Sequence, residues 1–201
     1  MSNLTPDQIN QHFGDMDLYL IDAILKGHIP SVGKVLDIGC GEGRNGIFFI
    51  QQGYAYHGID SDNSKLRLIE YVAKSVAKIE ATFALKRFES TDFQGEFDLV
   101  IASRVLHFCP DRKDFFAFWE KIITALKPGG IVYFSMDSAV VSSEVLVREK
   151  GQFEFADGRV SLALTDELYT KMKQGCDELE VLKTLVYRKA RAQSFGLLRK
   201  Q

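Results

Sequence analysis

Four glycines lie close together in residues 35–46 (VLDIGCGEGRNG), directly after an apolar run that is typical of a buried strand. Glycine has no Cβ and adopts positive φ without strain, so a loop rich in glycine lets a ligand approach its backbone closely. The helix that follows such a loop favours negative charge at its N-terminus. Asp60 ends the next apolar segment, AYHGID, and a carboxylate there suits the hydroxyls of a ribose. These residues predict a site for a cofactor that contains a nucleoside.

The letters GEGRNG at residues 41–46 match the dinucleotide motif G-x-G-x-x-G. In that register the strand would have to run through Asp37 and Gly39, and it would bury a carboxylate in its interior at a cost in free energy. A register that starts at Gly39 puts Arg44 where close packing of the helix requires a glycine. Neither register suits NAD.

Short apolar segments alternate with longer segments of helical period, which predicts βαβ units and a parallel sheet. The predicted strands are KVLDIG, AYHGID, ATFALKRF, FDLVIASRV and IVYFSM. FDLVIASRV is almost wholly apolar, so we expect it in the middle of the sheet. The predicted helices are RNGIFFIQQG, which ends at Gly53; residues 61–79, capped by Ser61 or Asp62; and a helix that follows Pro110 and Asp111 and ends before KPGG.

The pattern is weaker on both sides of this central part. DMDLYLIDAILKG (15–27) is predicted to be helical. GQFEFADGRVSLAL predicts a hairpin that turns at Asp157 and Gly158, followed by a helix capped by Thr165 and by strands in ELEVLKTLVY and QSFGLLRK. We find no linker and predict one domain over residues 1–201, with a helical lid at 1–33, a cofactor-binding core at 34–136 and substrate-side elements at 137–201.

The pattern D-x-G-x-G-x-G at residues 37–43 resembles the first motif of the class I S-adenosylmethionine-dependent methyltransferases. Asp60, FDLVIASRVLHF and LKPGGIVYFSM agree with the later motifs of that family, in the same order. The resemblance covers residues 34–136 and implies an α/β, Rossmann-like fold: a seven-stranded, mostly parallel sheet with helices on both faces and an antiparallel last strand. It also implies an enzyme that uses S-adenosyl-L-methionine. GEGRN followed by GY is similar to the small-molecule branch that includes the tellurite and thiopurine resistance methyltransferases.

The resemblance also assigns cofactor-binding roles. It implies that Asp37 reaches the methionine amino group, that the glycine loop lines the methionine part, that Asp60 takes the ribose hydroxyls, that Ser61 lies near the adenine, and that Ser103 offers its carbonyl to the ammonium. Many relatives carry an Asp after the third strand for the adenine amino group; here Phe88 and Glu89 occupy that region. The cofactor-binding set is Asp37, Gly39, Cys40, Gly41, Gly43, Arg44, Asp60, Ser61, Phe88, Glu89 and Ser103.

Methyl transfer from a sulfonium needs in-line alignment, and it needs a base only where the nucleophile has a high pKa. His107 follows the fourth strand, where relatives often carry a histidine, and it is our candidate for a proton acceptor or for packing against substrate. Tyr19 either closes over the ligands or packs in its helix. Arg44 either pairs with the cofactor or an anionic substrate group, or is solvated. Cys40 is expected to line the site through its backbone, without thiol chemistry.

Composition excludes several other functions. A net charge of −2 gives no general attraction to nucleic acid or to a membrane. The basic segment YRKARAQ at 187–193 either contacts RNA or an acidic partner, or is a solvated turn. The three cysteines and four histidines lack the spacing of a metal site. With no signal pattern and no long apolar run, we expect a cytoplasmic protein, a monomer or homodimer that binds no membrane and no metal.

We expect a small-molecule acceptor, because the chain shows no appended recognition domain. An RNA or protein methyltransferase is one alternative, although the fourth strand is followed by SRVL and not by an NPPY-type tetrapeptide. The other alternative is a non-catalytic regulatory protein that binds S-adenosylmethionine. A bound cofactor without an acceptor pocket would indicate that case.

Overall fold

The computed structural model describes residues 5–79, 81–139, 146–155, 158–187 and 191–201. The helices are α1 (Pro6–Phe13), α2 (Leu18–Leu25), α3 (Gly46–Gln52), α4 (Asn63–Val76), α5 (Arg112–Ala125) and α6 (Asp166–Met172). The strands are β1 (Lys34–Ile38), β2 (Ala55–Asp60), β3 (Thr82–Leu85), β4 (Phe97–Ser103), β5 (Leu126–Asp137), β6 (Leu146–Val147), β7 (Gln152–Glu154), β8 (Val160–Leu162), β9 (Cys176–Tyr187) and β10 (Arg191–Lys200). Short 3-10 turns lie at Phe88–Ser90, Leu106–Phe108 and Glu149–Gly151.

Seven strands form one sheet in the order β3-β2-β1-β4-β5-β10-β9. The pairs β1–β2, β2–β3 and β4–β5 are parallel, whereas β10 is antiparallel to both of its neighbours. The predicted seven-stranded, mostly parallel sheet with an antiparallel last strand is therefore confirmed. β4 holds the fourth of the seven positions, and all of its residues except Asp98 are buried, as its apolar sequence predicts.

Contacts within the chain group its residues into two compact units, Met1–Phe88 and Glu89–Gln201. The single-domain organisation stays a prediction. In the first unit, α1 begins with a capping box in which Thr5 and Gln8 bind each other's backbone N–H. The predicted helix at 15–27 is confirmed as the shorter α2.

The parallel register of the first unit pairs Asp37 with Gly58 and Asp60 with Leu85. The carboxyl ends of β1, β2 and β3 therefore meet at one edge of the sheet. Helix α3 ends at Gly53, which is left-handed with φ 87° as the sequence predicts. Asp62, one of the two predicted caps, accepts from the backbone N–H of Ser64 at 2.9 Å.

Helix α4 is shorter than its sequence pattern predicts. It buries Leu66, Ile69 and Ala73, but it ends at Val76, and Ile79 is exposed. Ala77 is extended with ψ 131°, which stops the helix there. The prediction that the helix includes Ile79 is therefore wrong.

In the second unit, Asp111 caps α5 by accepting from the backbone N–H of Asp114 at 2.9 Å. The helical spacing of the apolar residues in this segment predicts that six of them lie in the core: Phe115, Phe118, Trp119, Ile122, Ile123 and Leu126. The first four are buried in α5, and Ile123 is half-buried. Leu126 was predicted to continue this helix, but it is extended with ψ 140° and pairs with Phe97 as the first residue of β5. The helix thus ends one residue earlier, and KPGG lies inside the strand.

A second, three-stranded sheet of antiparallel strands has the order β6-β7-β8. The predicted hairpin is confirmed as β7 and β8, and Gly158 takes φ 81° near its turn. Asp157 lies outside the described residues, and so do residues 188–190 of the basic segment. Thr165 caps α6 as predicted, because its hydroxyl accepts from the backbone N–H of Leu168 at 3.1 Å. Among the described residues, no helix is long and apolar enough to cross a membrane.

Candidate functional site

The glycine loop after β1 is held by backbone hydrogen bonds to the end of β2. The N–H groups of Gly39 and Cys40 both donate to the carbonyl of Ile59, at 2.7 and 3.0 Å. The N–H of Gly41 donates to the Asp60 carboxylate at 2.8 Å, and that of Gly43 donates to the carbonyl of Cys40 at 3.0 Å. These four N–H groups therefore stabilise the conformation of the loop itself. A ligand can still approach the loop backbone closely, because the glycines carry no side chains.

The glycines of this loop serve two purposes. Gly41 has φ 55°, and among the described residues no atom outside its chain neighbours lies within 4 Å of where a Cβ would stand. At Gly46, in contrast, a Cβ would lie 2.2 Å from the hydroxyl of Tyr56. A Cβ on Gly43 would likewise meet Ile69 at 2.6 Å. Gly41 thus leaves space for a ligand, whereas Gly43 and Gly46 make room for the protein's own side chains.

Asp60 organises the edge of the sheet beside this loop. One carboxylate oxygen accepts from the N–H of Gly41 and the other from the N–H of Asp62, both at 2.8 Å. Each oxygen of a carboxylate has a second lone pair, so the group can still accept from a hydroxyl of a ligand. Ser61 is exposed directly after Asp60. The predicted ribose-binding residue Asp60 therefore contacts the backbone of Gly41, and Ser61 follows it in the chain.

Asp37 is buried, with only 2% of its surface exposed. The hydroxyl of Tyr56 donates to its carboxylate at 2.8 Å. Burial raises the pKa of Asp37 to about 7, while the Tyr56 hydrogen bond and the charge of Arg44 act in the opposite direction. Burial also raises the pKa of the Cys40 thiol, so that thiol is protonated at neutral pH.

Arg44 and Asn45 bind the residue that precedes α2. The guanidinium of Arg44 lies 3.1 Å from the carboxylate of Asp17, and the side chain of Asn45 accepts from the N–H of Asp17 at 2.9 Å. The sequence predicts that Arg44 either pairs with a ligand or is solvated, whereas in the structure it forms an ion pair with Asp17. The pair brings the start of the helix that carries Tyr19, which is half-buried, to the glycine loop.

In the second unit, Ser103 ends β4 and its hydroxyl lies 3.2 Å from that of Ser135. The next residue, Arg104, is exposed and left-handed with φ 60°. A residue other than glycine in that conformation is strained, and such strain is concentrated at functional sites. His107 is 9% exposed, and its ring centroid lies 4.3 Å from that of Phe108, which is 76% exposed.

The two adenine-side candidates differ in burial. Phe88 is 3% exposed, whereas the side chain of Glu89 is exposed. The backbone carbonyl of Glu89 accepts from the ammonium of Lys121 at 2.5 Å, which fixes the short turn that carries both residues. Their role toward an adenine stays a prediction.

Four polar residues in buried contacts could not be identified from the sequence. Tyr56 looks like one more apolar residue of a strand, Asp17 belongs to no motif, and Asn45 lies within the glycine motif but at a position to which the motif assigns no role. Asp137, at the end of β5, is 1% exposed and accepts from Arg159 at 3.1 Å and from Ser161 at 3.2 Å. These contacts could not be predicted because the partners lie far apart in the sequence and each residue type is common at its position.

The strand order, the antiparallel β10 and the glycine loop at the carboxyl end of β1 define the Rossmann-like fold of the class I methyltransferases. Residues 36–132, just under half of the chain, match the family model described as "Methyltransferase domain". The predicted resemblance to the S-adenosylmethionine-dependent class I methyltransferases is therefore confirmed, and with it the predicted enzyme class of this domain.

Among curated proteins, the chain is 26% identical over 161 residues to "Putative methyltransferase YqeM" of Bacillus subtilis, covering 79% of this chain and 61% of that protein. It is 29% identical over 125 residues to a ubiquinone biosynthesis O-methyltransferase of Idiomarina loihiensis, covering 56% of this chain and 46% of that protein. The chain thus spans less than two thirds of the length of these relatives.

Solved structures share the fold at low sequence identity. The 1,6-didemethyltoxoflavin-N1-methyltransferase of Burkholderia thailandensis has a TM-score of 0.71 and 16% identity, over 97% of this chain and 82% of its own. TehB of Haemophilus influenzae has a TM-score of 0.69 and 18% identity, over 97% of this chain and 66% of its own. These likenesses establish the fold, and the tellurite and thiopurine branch stays a prediction.

Proposed function

We propose that this protein transfers a methyl group from S-adenosyl-L-methionine to a small-molecule acceptor by in-line displacement. The observation that carries the proposal is the open space at Gly41 beside the Asp60 carboxylate, within a domain that matches the methyltransferase family. A loop position without a side chain and an acceptor for ribose hydroxyls are what a nucleoside cofactor requires at the carboxyl ends of parallel strands. Bound S-adenosylmethionine supplies an electrophilic methyl group.

The chain's own residues hold the cofactor in this proposal. Asp60 accepts from the ribose hydroxyls, the backbone at Gly41 lies against the methionine part, and Asp37 balances the charge of its ammonium. The remaining cofactor-binding proposals are Gly39, Cys40, Gly43, Arg44, Ser61, Phe88, Glu89 and Ser103. The proposed contribution of Arg44 to cofactor binding is indirect: its ion pair with Asp17 holds the start of α2 at the glycine loop.

The acceptor-side proposals are His107 and Tyr19. His107 lies on the turn that follows β4 and is almost buried, with its ring against Phe108. A nearly buried imidazole can take a proton from a hydroxyl or ammonium acceptor, whereas a soft nucleophile needs no base. In the latter case His107 packs against the acceptor. Tyr19 is proposed to close over the bound ligands.

Names of relatives support a small acceptor. The curated relatives include ubiquinone biosynthesis O-methyltransferases, a 2-heptyl-1-hydroxyquinolin-4(1H)-one methyltransferase and a cypemycin N-terminal methyltransferase. Each name belongs to that protein. The ubiquinone and quinolone names favour an acceptor on a small molecule, whereas the cypemycin name, with its N-terminal acceptor, agrees with the peptide alternative. We further propose a cytoplasmic location, supported by the three buried free thiols Cys40, Cys109 and Cys176, and a monomer or homodimer.

The experiment that tests the proposal follows the labelled methyl group of S-adenosylmethionine into a panel of phenols, amines, thiols, peptides and RNA. We expect a labelled product with one class of small molecule. Asp60→Asn should abolish it, whereas Asp177→Asn, which changes an exposed carboxylate of β9, should not. Label transferred only to RNA or peptide would contradict the small-molecule acceptor. Cofactor binding with no transfer to any acceptor would favour the regulatory alternative.

A further inference from the structure

Tyr56 lies in a space built from two glycines and the Asp37 carboxylate. It is 1% exposed, and its hydroxyl donates to Asp37 at 2.8 Å across the parallel pair β1–β2. A Cβ on Gly46 would lie 2.2 Å from that hydroxyl, and one on Gly58 would lie 3.1 Å from the Tyr56 ring. A larger residue at Gly46 would therefore displace the tyrosine from Asp37, whereas one at Gly58 would press on Cys40, Phe83 and the Tyr56 ring together.

The charged and titratable groups that face Asp37 come from four places in the first unit. Arg44 provides the one positive charge among them, and Asp17 and Asp60 provide negative charge. The Cys40 thiol and the Tyr56 hydroxyl lie beside it and are both neutral at physiological pH, because burial raises their pKa. Tyr56 is the neighbour that donates a hydrogen bond to the carboxylate, and it lowers the pKa of Asp37 against the larger effect of burial.

We propose that Tyr56 is a positioning residue that keeps the Asp37 carboxylate ionised and oriented for the ammonium of the cofactor's methionine part. This inference rests on the proposed function. Its consequence is that cofactor affinity falls as the pH drops below about 8. As the pH falls through the pKa of Asp37, the carboxylate takes up a proton and its attraction for the ammonium is lost.

The size of the effect follows from the protonated fraction. With the pKa of Asp37 at about 7, about one tenth of the carboxylate is ionised at pH 6, so affinity should fall about tenfold relative to pH 8. Removal of the Tyr56 hydroxyl raises the pKa of Asp37 further. The midpoint should then move up by about one pH unit, and affinity at pH 7 should drop by about fivefold.

The test measures binding of S-adenosylhomocysteine and of 5′-methylthioadenosine between pH 5.5 and 8.5, in wild type, Tyr56→Phe and Tyr54→Phe. Methylthioadenosine keeps the nucleoside but lacks the amino group, so its affinity should depend on neither pH nor Tyr56. Tyr54→Phe is the matched control, because it removes another tyrosine hydrogen bond, 2.6 Å to the carbonyl of Pro30. We expect Tyr56→Phe alone to weaken S-adenosylhomocysteine and shift its midpoint upward.

Four results would overturn the proposal. Tyr56→Phe could leave both affinity and midpoint unchanged, or it could weaken the two ligands equally, which is what a purely structural role produces. If Tyr56→Phe does not fold, Asp37→Asn replaces it: the neutral amide should remove the pH dependence between pH 5.5 and 7.5, and its persistence would contradict the role of Asp37. A folded wild type that binds neither ligand would overturn the proposed function itself, and this inference with it.

Discussion

At the scale of residues, Gly46 shows that a glycine in a binding motif can have a purely internal reason. The Tyr56 hydroxyl, and not a ligand, fills the space where a Cβ of residue 46 would lie. The apparent dinucleotide motif GEGRNG therefore contains one glycine that opens to the surroundings, Gly41, and two that accommodate the side chains of Ile69 and Tyr56. The last glycine of a dinucleotide motif also serves close packing of the helix, so the contact at Gly46 does not distinguish the two cofactors. The structure also buries Asp37 inside β1, so the expectation that a buried carboxylate excludes the dinucleotide register is wrong.

We expect Gly46→Ala to lower the free energy of unfolding by about 1–3 kcal/mol, because the added methyl group overpacks against Tyr56. In a helix the same change would otherwise be favourable by about 1 kcal/mol, so the sign of the effect reports the contact. Urea unfolding measures it.

The control for Gly46→Ala is the double variant with Tyr56→Phe. The Tyr56 hydroxyl is the atom nearest to the added methyl group. The double variant should therefore lose less stability than the sum of the losses in the two single variants. Strict additivity of the two changes would contradict the contact.

Whether a residue of the site could be predicted depends on how far away in the sequence its contact partners lie. The glycine loop and Asp60 could be predicted, because each is recognised by its place directly after an apolar strand. Tyr56 could not, since its contacts with Asp37 and Gly46 depend on the register of two strands and on where α3 begins. For the same reason, nothing in the sequence around Asp17 indicates that it pairs with Arg44.

At the scale of elements, local signals were reliable where a cap or a long apolar period was present. Asp62, Asp111 and Thr165 begin the predicted helices, and their side chains accept from backbone N–H groups of the first turn. The errors fall at helix ends, where Ala77 and Leu126 become extended. Strand β6 was missed because its two residues are too few to show an alternating pattern.

We expect Thr165→Ala to destabilise the protein by about 1 kcal/mol, since the first turn of α6 loses its side-chain acceptor. Thr165→Ser is the matched control, because it keeps the hydroxyl that accepts from Leu168, and it should lie close to wild type. Thermal unfolding followed by circular dichroism compares the two. Equal destabilisation by both substitutions would contradict the capping role.

At the scale of the whole molecule, alternation of strands and helices predicted a parallel sheet, and the family resemblance supplied the strand count and the antiparallel last strand. The composition of β4 placed it centrally, because a strand covered on both faces needs apolar residues throughout. The sequence did not specify the acceptor.

Binding of the cofactor product should stabilise the folded protein by mass action. At a concentration of S-adenosylhomocysteine about 100 times the Kd, the expected gain is about 2.7 kcal/mol. For a chain of this size that corresponds to a rise in Tm of about 5–10 °C. A melting curve with and without S-adenosylhomocysteine measures the rise, and an unchanged Tm at saturating ligand would contradict it.

Calorimetric titration with S-adenosylmethionine tests the central claim most directly, because it measures cofactor binding without any knowledge of the acceptor. We predict saturable binding at one site per chain, loss of that binding in Asp60→Asn, and unchanged binding in Asp177→Asn. Absence of binding to the folded wild-type protein, or full binding by Asp60→Asn, would contradict the account.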